Sequence, residues 1–353
     1  MSDYKDFICA VPFDGIEVHD FRSFLCCPSW LTKHLPKGMT ARESFNSDVA
    51  KDIRESVIDG SYKYCDKQQC PFLLAIPKGV KEHRPLYRKG FLPDEVQEKV
   101  DKHKKDIEFS PRTIQFSFDR SCNLACPSCR IDMFIADSKK IKTVKATIQE
   151  IEDDYASTVK VIYITGSGDP FISVGFRDYL RNFDASKYPK LDRIHLHTNA
   201  TYWTKKMWDS MPNVHRFVKS CEISIDAGTK DTYENKTRIN GNWDELMDNL
   251  EFISTIRTLD SVKTSFVVQN HNYMEMKIFY DSMMNIFKKK TKVFYGKINN
   301  WGTFTPQEFD KHNVWDTNHE NHQDFIKHIN QTLPAPQTFH NLHEFIEEKT
   351  TLI

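Results

Sequence analysis

The chain has no long apolar run and no net charge. None of its hydrophobic stretches approaches the ~20 residues that a membrane helix needs, and no secretion signal opens the chain. Lys plus Arg and Asp plus Glu both number 49, which argues against a nucleic-acid-binding surface. No internal repeat or low-complexity tract is evident. These absences indicate a globular cytoplasmic chain with neither a membrane nor a nucleic acid as its partner.

Cysteine is abundant for such a chain, at nine of 353 residues. Disulfides are rare in the cytoplasm, so these thiols are expected to remain reduced and available to a metal. Cys122, Cys126 and Cys129 have C-x3-C-x2-C spacing just after a strand-like stretch. A four-iron cube normally takes four cysteines, so three thiolates would leave one iron position open for chemistry. The alternatives are a zinc site or three unrelated core cysteines.

A second group of cysteines lies in the first seventy residues: Cys9, Cys26, Cys27, Cys65 and Cys70. Four of these five would complete a second cube, with Cys26 slightly favoured over Cys27. A structural zinc site is the alternative, because spacing alone does not identify the metal. Cys221 has no cysteine near it in sequence and is expected to be a small buried hydrophobic residue.

Between about residues 110 and 300, short β-rich runs alternate with longer amphipathic helical segments. The predicted strands are Ile114–Asp119, Val159–Thr165, Arg193–Thr198, Ser220–Asp226, Thr264–Gln269 and Lys292–Ile298. The predicted helices between them include Val144–Tyr155, Gly175–Asn182, Trp243–Arg257 and Tyr273–Lys288. This alternation implies a parallel sheet with helical crossovers. The predicted fold class is α/β, with a partial (β/α)6 TIM-like barrel and a small N-terminal cysteine-rich domain.

The predicted domain organisation has four parts. Residues 1–79 form the cysteine-rich domain, and 80–108 form a linker with one helix, Asp94–Lys104. Residues 109–300 form the barrel, and 301–353 form a C-terminal extension without an assigned role.

Polar residues follow the predicted strands, where sheets of this kind bind their ligands. The second strand leads into Gly166, Ser167, Gly168 and Asp169, and the third into Thr198 and Asn199. Ser224 and Asp226 are predicted on one face of the fourth strand, with Arg238 in the following helical region. Gln269 ends the fifth strand. Each taken alone also fits an ordinary turn or core position.

Together, the cysteine loop and these strand ends resemble the radical S-adenosylmethionine (SAM) superfamily. The resemblance implies that Cys122, Cys126 and Cys129 hold a [4Fe-4S] cluster. It also implies SAM contacts from the strand-end residues: Gly166, Ser167, Gly168, Asp169, Thr198, Asn199, Ser224, Asp226, Arg238 and Gln269. Ser224 and Arg238 would hold the SAM carboxylate, a bidentate task that suits a guanidinium. The superfamily's usual aromatic residue before the last cysteine is replaced here by Ser128.

The N-terminal cysteines resemble a SPASM or twitch-type auxiliary-cluster domain, in which Phe45 would replace the usual tryptophan. In most relatives this module follows the barrel, whereas here it precedes it. The resemblance implies a second [4Fe-4S] cluster.

The implied function is reductive cleavage of SAM to a 5′-deoxyadenosyl radical, which abstracts hydrogen from a substrate C–H bond. An auxiliary cluster would assist oxidation, dehydrogenation or crosslinking. The expected substrate is a sugar or nucleotide-like metabolite or a peptide, and the expected electron donor is a flavodoxin or ferredoxin. The alternatives are a ribosomal-peptide maturase and, from a different class, a non-catalytic zinc or iron–sulfur protein.

Overall fold

A computed structural model describes residues 3–76, 85–333, 335–342 and 345–346. The chain divides into two compact units. The first comprises Met1–Asp119, Asp137–Ser167 and Asn182–Ile194, and the second comprises Arg120–Ala136, Gly168–Arg181 and His195–Ile353. The start of the predicted linker (residues 80–84) and the end of the predicted cysteine-rich domain (77–79) lie outside the described residues.

The first unit contains six α-helices and six complete strands among its described residues. The strands are β1 (Phe7–Cys9), β2 (Gly15–His19), β3 (Arg22–Phe24), β4 (Leu86–Arg88), β5 (Thr113–Ser117) and β6 (Val161–Ile164). The helices are α1 (Val11–Asp14), α2 (Ala41–Asn46), α3 (Asp48–Ile58), α4 (Pro71–Ala75), α5 (Asp94–Lys104) and α6 (Ser138–Tyr155). A further strand, β7 (Arg193–Thr198), begins in this unit and ends in the second.

The main sheet of the first unit is mostly parallel. β2 pairs with β5 and β5 with β6 in parallel, whereas β3 joins β2 in an antiparallel hairpin. Ile114 and Phe116 of β5 are buried, and Gln115 between them is only partly covered. A separate two-stranded sheet pairs β1 with β4. One face of the main sheet is therefore apolar and the other polar.

The second unit is built from four further strands and seven α-helices among its described residues. The strands are β8 (Val218–Ser224), β9 (Ser261–Val268), β10 (Thr291–Lys297) and β11 (Thr338–His340). The helices are α7 (Val174–Arg181), α8 (Lys205–Asp209), α9 (Lys230–Thr232), α10 (Trp243–Ser254), α11 (Met276–Phe287), α12 (Pro306–His312) and α13 (His322–Thr332). β8 pairs with β9, β9 with β10 and β10 with β11, all in parallel. A one-turn π-helix, Tyr233–Thr237, follows α9 directly.

The architecture confirms the predicted α/β class, with mostly parallel strands accompanied by helices. All six predicted strands are present within a few residues of their predicted bounds, and the linker helix spans Asp94–Lys104 as predicted. No helix among the described residues is both long and apolar enough to cross a membrane.

The structure divides the N-terminal region differently from the sequence-based prediction. β2, from the region predicted as a separate domain, pairs in register with β5 of the predicted barrel, with Ile16 opposite Ile114. Strand β2 completes the apolar face of the sheet because Ile16 and Val18 are buried while Glu17 is not. Residues 1–119 accordingly belong to one compact unit together with α6 and β6.

Candidate functional site

The predicted cysteine loop lies in the second unit and is fixed mainly by backbone hydrogen bonds. The amide of Cys122 donates to the carbonyl oxygen of Phe134 at 2.8 Å, which closes the loop at its base. The amides of Cys129 and Arg130 both donate to the carbonyl oxygen of Cys126, at 2.8 and 2.9 Å. Cys122 and Cys126 are buried, whereas Cys129 is exposed. We call Cys122, Cys126 and Cys129 the three-thiol loop.

Each sulfur of the three-thiol loop accepts a hydrogen bond from a different side chain. Asn199 Nδ2 lies 3.5 Å from Cys122 Sγ, and Arg238 Nη1 lies 3.4 Å from Cys126 Sγ. Arg130 Nη2 lies 3.8 Å from Cys129 Sγ. Two of the three donors are cations, so the surroundings favour sulfur that carries negative charge.

Asp169 joins two of the predicted strand-end groups. One of its oxygens accepts from Thr198 Oγ1 at 2.7 Å and from the Asn199 amide at 2.8 Å. The other accepts from the Phe171 amide at 2.9 Å. Burial nevertheless raises the pKa of Asp169, and it outweighs these hydrogen bonds. The Asp169 carboxyl therefore fixes the turn that directs Asn199 toward Cys122.

Arg238 and Asp226 form a buried ion pair beside Cys126. Arg238 Nη2 lies 2.6 Å from Asp226 Oδ2, and Asp226 Oδ1 accepts from the Val267 amide at 2.7 Å. Asp226 has a left-handed backbone with φ of 60° and lies beyond Ser224, the last residue of β8. The prediction that Ser224 and Asp226 share one strand face is therefore wrong, because the strand ends before Asp226.

Ser224 belongs to a second polar group in this unit. Its hydroxyl lies 3.0 Å from His197 Nε2 and 3.2 Å from Ser265 Oγ. Burial lowers the pKa of His197, which favours the neutral imidazole. Gln269, at the end of β9, is buried, and its backbone amide donates to Asn272 Oδ1 at 2.9 Å. Ser224 and Gln269 are thus placed by partners other than the ones that hold the three-thiol loop.

The predicted glycine turn is divided between the two units. In the first unit, Gly166 has φ of +110°, and a Cβ there would lie 3.2 Å from Ser117 Oγ. The Ser167 hydroxyl donates to the carbonyl oxygen of Ser117 at 2.6 Å. Gly166 is therefore needed for both its backbone angle and its close approach to β5. In the second unit, the amide of Asp169, next to Gly168, donates to the carbonyl oxygen of Ser121 at 2.8 Å.

Sequence reasoning missed three side chains that contact these groups. Arg130 reaches Cys129, Asn123 accepts from Asn199 at 3.1 Å, and His197 contacts Ser224. The only signal for Arg130 was its position directly after the last cysteine of the motif. Asn123 and His197 carry no comparable sequence signal.

The three-thiol loop fits an iron–sulfur cluster. Burial raises the pKa of Cys122 to about 11 and also raises that of Cys126, where Arg238 opposes the effect. The nearby thiols outweigh the effect of burial on Arg130 and raise its pKa. The Tyr233 hydroxyl is fully buried and finds no hydrogen-bond partner among the described residues. Thiols supplied with cationic donors suit metal-bound thiolates better than neutral core cysteines.

The N-terminal cysteines of the first unit surround one cavity. Its walls include the four sulfur-bearing residues Cys9, Cys26, Cys65 and Cys70, which we call the four-thiol pocket. The remaining lining residues are Pro12, Trp30, Leu31, Ile53, Val57, Tyr62, Phe72, Leu73 and Leu86. Cys27 does not line this cavity, and its thiol lies near Glu17 instead. The structure thus favours Cys26 over its neighbour.

The four-thiol pocket is apolar and has no charged residue among those that line it. Burial, with a smaller contribution from the neighbouring Cys70, raises the pKa of Cys65 to about 12. Backbone amides supply the hydrogen bonds here, from Val11 to Cys9 and from Leu73 and Phe72 to Cys70. Cys70 is also the N-cap of α4. Four thiols with amide donors in an apolar cavity fit a fully coordinated metal cluster.

Among the described residues, no group of three or more His, Cys, Asp or Glu side chains is arranged to hold a single metal ion. A four-iron cube requires a wider arrangement of ligands than a single ion does, because each cysteine binds a different iron.

The fold and the three-thiol loop define an α/β protein with a candidate iron–sulfur site after the first strand of its barrel. Residues 116–282, just under half of the chain, match the sequence profile described as the radical SAM superfamily. The matched segment contains all three cysteines of the loop together with Asp226 and Arg238. This match supports the resemblance to the radical SAM superfamily over residues 116–282. No curated protein matches the chain significantly.

Solved structures resemble the chain at low sequence identity. SuiB from Streptococcus suis bound to the precursor peptide SuiA is 13% identical with a TM-score of 0.45, over 95% of this chain and 71% of that one. The SAM-bound form of SuiB is 12% identical with a TM-score of 0.45, over 96% and 73% of the two chains. TYW1 with a lysine-pyruvate adduct is 13% identical with a TM-score of 0.36, over 63% and 72%. Similarity at this level does not define the function of this chain.

Proposed function

We propose that this protein is a radical SAM enzyme whose cluster is held by Cys122, Cys126 and Cys129. The observation that carries the proposal is the three-thiol loop, in which every sulfur accepts an N–H from a different residue. This arrangement lies inside the segment that matches the radical SAM profile. Cysteines that only filled a hydrophobic core would not need two buried arginines directed at their sulfurs.

In this proposal, the residues of the chain bind and orient the cluster and SAM and shield them from solvent. When bound, the cluster would supply the one electron that cleaves the sulfonium of SAM into methionine and a radical able to take a hydrogen atom from a substrate C–H bond. Cys122 and Cys126 would hold the cluster in a buried position, and the exposed Cys129 would leave that side accessible. An external electron carrier such as a flavodoxin or ferredoxin would deliver the electron.

The proposed SAM contacts come from the strand ends. Gly166, Ser167 and Gly168 would offer backbone groups, and Asp169 would position Thr198 and Asn199 rather than contact SAM itself, because its oxygens are already engaged. Two further groups would complete the site. Ser224 and Gln269 would contact SAM directly, and Asp226 would hold Arg238 in position.

We propose a second, fully coordinated [4Fe-4S] cluster in the four-thiol pocket. The common cavity of Cys9, Cys26, Cys65 and Cys70 supports it, as do the backbone amide donors. Such a cluster could exchange an electron with a substrate radical, which favours an oxidation or crosslinking reaction. Four-cysteine zinc is the competing occupant.

The proposed substrate is polar, because the second unit has a polar strand face. Parallel sheets are usually apolar on both faces. Here one face of β7, β8 and β9 carries His195, His197, Ser220, Glu222, Ser224, Lys263 and Ser265. Lys263 Nζ lies 2.8 Å from Glu222 Oε2, and neither side chain is fully covered. Such a face suits a peptide backbone or a sugar-like metabolite better than a lipid.

The test is release of 5′-deoxyadenosine from SAM under anaerobic reducing conditions after iron and sulfide reconstitution. We expect slow release by the wild type even without substrate. The variant Cys122→Ala/Cys126→Ala/Cys129→Ala should release none and should lose about four of about eight irons. The matched control is Cys221→Ala, which removes a buried thiol distant in sequence from both groups.

Two results would contradict the proposal. If wild-type protein with a full complement of iron releases no 5′-deoxyadenosine, the chain is an iron–sulfur protein without SAM chemistry. If the triple variant retains all of the iron, the three-thiol loop is not the ligand set.

A further inference from the structure

The hydrogen-bond donors around the three-thiol loop come from three separate places in the second unit. Asn199 follows β7, Arg238 follows the π-helix Tyr233–Thr237, and Arg130 belongs to the loop itself. Their nitrogens lie 3.5, 3.4 and 3.8 Å from the sulfurs of Cys122, Cys126 and Cys129, respectively. Each thiol therefore has one donor from outside its own backbone.

Arg238 is held in place at all three of its nitrogens. Nη1 donates to Cys126 Sγ, Nη2 lies 2.6 Å from Asp226 Oδ2, and Nε donates to the carbonyl oxygen of Ile225 at 3.3 Å. Arg238 is 9% exposed and Asp226 is 2% exposed. The guanidinium could not turn toward another ligand without breaking a buried ion pair, which is costly. Its position serves the thiol of Cys126.

Arg130 is directed in a similar way toward Cys129. Its Nη1 donates to the carbonyl oxygen of Arg120 at 2.6 Å, and its Nη2 reaches Cys129 Sγ. Arg130 is 8% exposed, although the neighbouring residues 131–133 are exposed. Because a planar guanidinium presents its donors in a fixed fork, one contact to the backbone orients the other toward the sulfur.

Charge beside a thiolate alters the energy of reducing a cluster. The reduced cluster is more negative than the oxidised one, so a nearby cation stabilises the reduced form more. Hydrogen bonds to the sulfurs, net charge and solvent exposure set reduction potentials in iron–sulfur proteins. We infer that Arg130 and Arg238 are positioning residues that raise the reduction potential of the cluster, and that Arg238 acts on Cys126 rather than on the SAM carboxylate.

This inference rests on the proposed function, and its test measures potential rather than turnover. Reconstituted wild type, Arg130→Gln and Arg238→Gln are titrated anaerobically and followed by electron paramagnetic resonance without SAM. The signal that changes when SAM is then added identifies the cluster of the three-thiol loop. We expect each substitution to weaken electron uptake about tenfold, which lowers the potential by about 59 mV for one electron.

Two control variants separate charge from fold. Arg130→Lys keeps the cation but loses the fork and should shift the potential less than Arg130→Gln does. Arg257→Gln removes an exposed arginine of the same unit and should leave the potential unchanged. If Arg238→Gln fails to fold or to take up iron, Arg130→Gln still decides whether a cation at the loop raises the potential, and Arg238→Lys, which keeps the charge, replaces Arg238→Gln in the SAM-binding comparison.

The outcomes distinguish the two hypotheses. Full iron loading with unchanged potentials in Arg130→Gln, and in Arg238→Gln where it loads, would overturn the inference. If Arg238→Gln binds SAM more weakly but has an unchanged potential, Arg238 binds the SAM carboxylate and the inference about Cys126 is wrong. Failure of the proposed function has a different signature, because the wild type would then show no cluster signal that responds to SAM.

Discussion

The chain offers two groups of thiols in very different surroundings. The three-thiol loop has a side-chain N–H donor at every sulfur, including two arginines, and one of its cysteines is exposed. The four-thiol pocket has an apolar lining without a charged residue, and its hydrogen bonds come from backbone amides. Each group lies within one of the two compact units.

This difference indicates two different tasks. An incomplete ligand set with cationic support and an accessible side suits a cluster that binds a further ligand and accepts an electron from outside. A complete ligand set in an apolar cavity suits a cluster that binds no further ligand.

Substituting the four-thiol pocket should remove one metal centre and leave the other. In Cys65→Ala/Cys70→Ala, iron should fall from about eight to about four per chain. Release of 5′-deoxyadenosine without substrate should persist, because the three-thiol loop keeps its ligands and donors. Iron and zinc are measured together by elemental analysis.

Cys27→Ala is the matched control for the pocket and should retain all of the metal, because Cys27 does not line the cavity. Loss of metal from Cys27→Ala but not from Cys26→Ala would reverse the assignment of these neighbours. Loss of zinc at constant iron in Cys65→Ala/Cys70→Ala would show that the pocket is a zinc site.

Asp226→Asn should destabilise the three-thiol loop strongly. The substitution leaves the buried guanidinium of Arg238 without its partner at 2.6 Å. Breaking a buried ion pair from one side costs about 3–5 kcal/mol in free energy of unfolding. Anaerobic urea denaturation measures this loss. The exposed Asp260→Asn should change stability by less than about 0.5 kcal/mol, and a similarly small loss in Asp226→Asn would refute the ion pair.

Regular elements were predictable from the sequence because their periodicity follows from burial. The alternation of Ile114 and Phe116 with polar neighbours identifies β5, and the apolar spacing of Val144, Ile148 and Ile151 identifies α6. The cysteine loop was likewise predictable from a local feature, its C-x3-C-x2-C spacing. Strand β2 was missed as part of the main sheet because its pairing with β5 joins residues about a hundred positions apart, which no local pattern records.

The finer site geometry depended on backbone angles and on long-range contacts. A φ of 60° at Asp226 takes its side chain off the face of β8, and a strand pattern cannot anticipate this. Cys26 and Cys27 are chemically identical neighbours, so only their surroundings show which of them faces the pocket. The donors Asn199 and Arg238 reach sulfurs 77 and 112 positions away in sequence.

Gly241→Ala tests the turn that directs Arg238. A Cβ at this position would lie 2.5 Å from Tyr233 Cε1 and 2.8 Å from the carbonyl oxygen of Arg238. Such crowding in a packed site costs about 1–3 kcal/mol. The free energy of unfolding should fall by this amount in urea denaturation. Gly15→Ala in the first unit, with neighbours no closer than 3.4 Å, should be nearly neutral. Equal effects of the two substitutions would mean that the turn yields to the added methyl group.

Glu17→Gln tests whether a charged side chain is unfavourable in the sheet beside Cys27. In the three-thiol loop, by contrast, buried charges lie next to partners of opposite charge. Burial raises the pKa of Glu17 to about 7, from an ordinary value of 4.5, although a hydrogen bond with Ser117 opposes the effect. As the pH rises, Glu17 therefore keeps its proton to a higher pH in the native state than in the unfolded chain. The stability that the protonated Glu17 contributes is fully present below pH 4.5 and is lost as the pH rises through about 7.

Glutamine at position 17 cannot ionise, so the variant should gain stability over the wild type as the pH rises. One pKa unit corresponds to about 1.4 kcal/mol, and partial access of water to Glu17 reduces the effect. We expect the difference between variant and wild type to grow by about 1 kcal/mol between about pH 6 and pH 8.5 in urea denaturation. Glu251→Gln, an exposed carboxylate of the second unit, should show no such trend. A constant difference across this range would mean that Glu17 is ionised at neutral pH, and the sheet beside Cys27 would then tolerate charge as the three-thiol loop does.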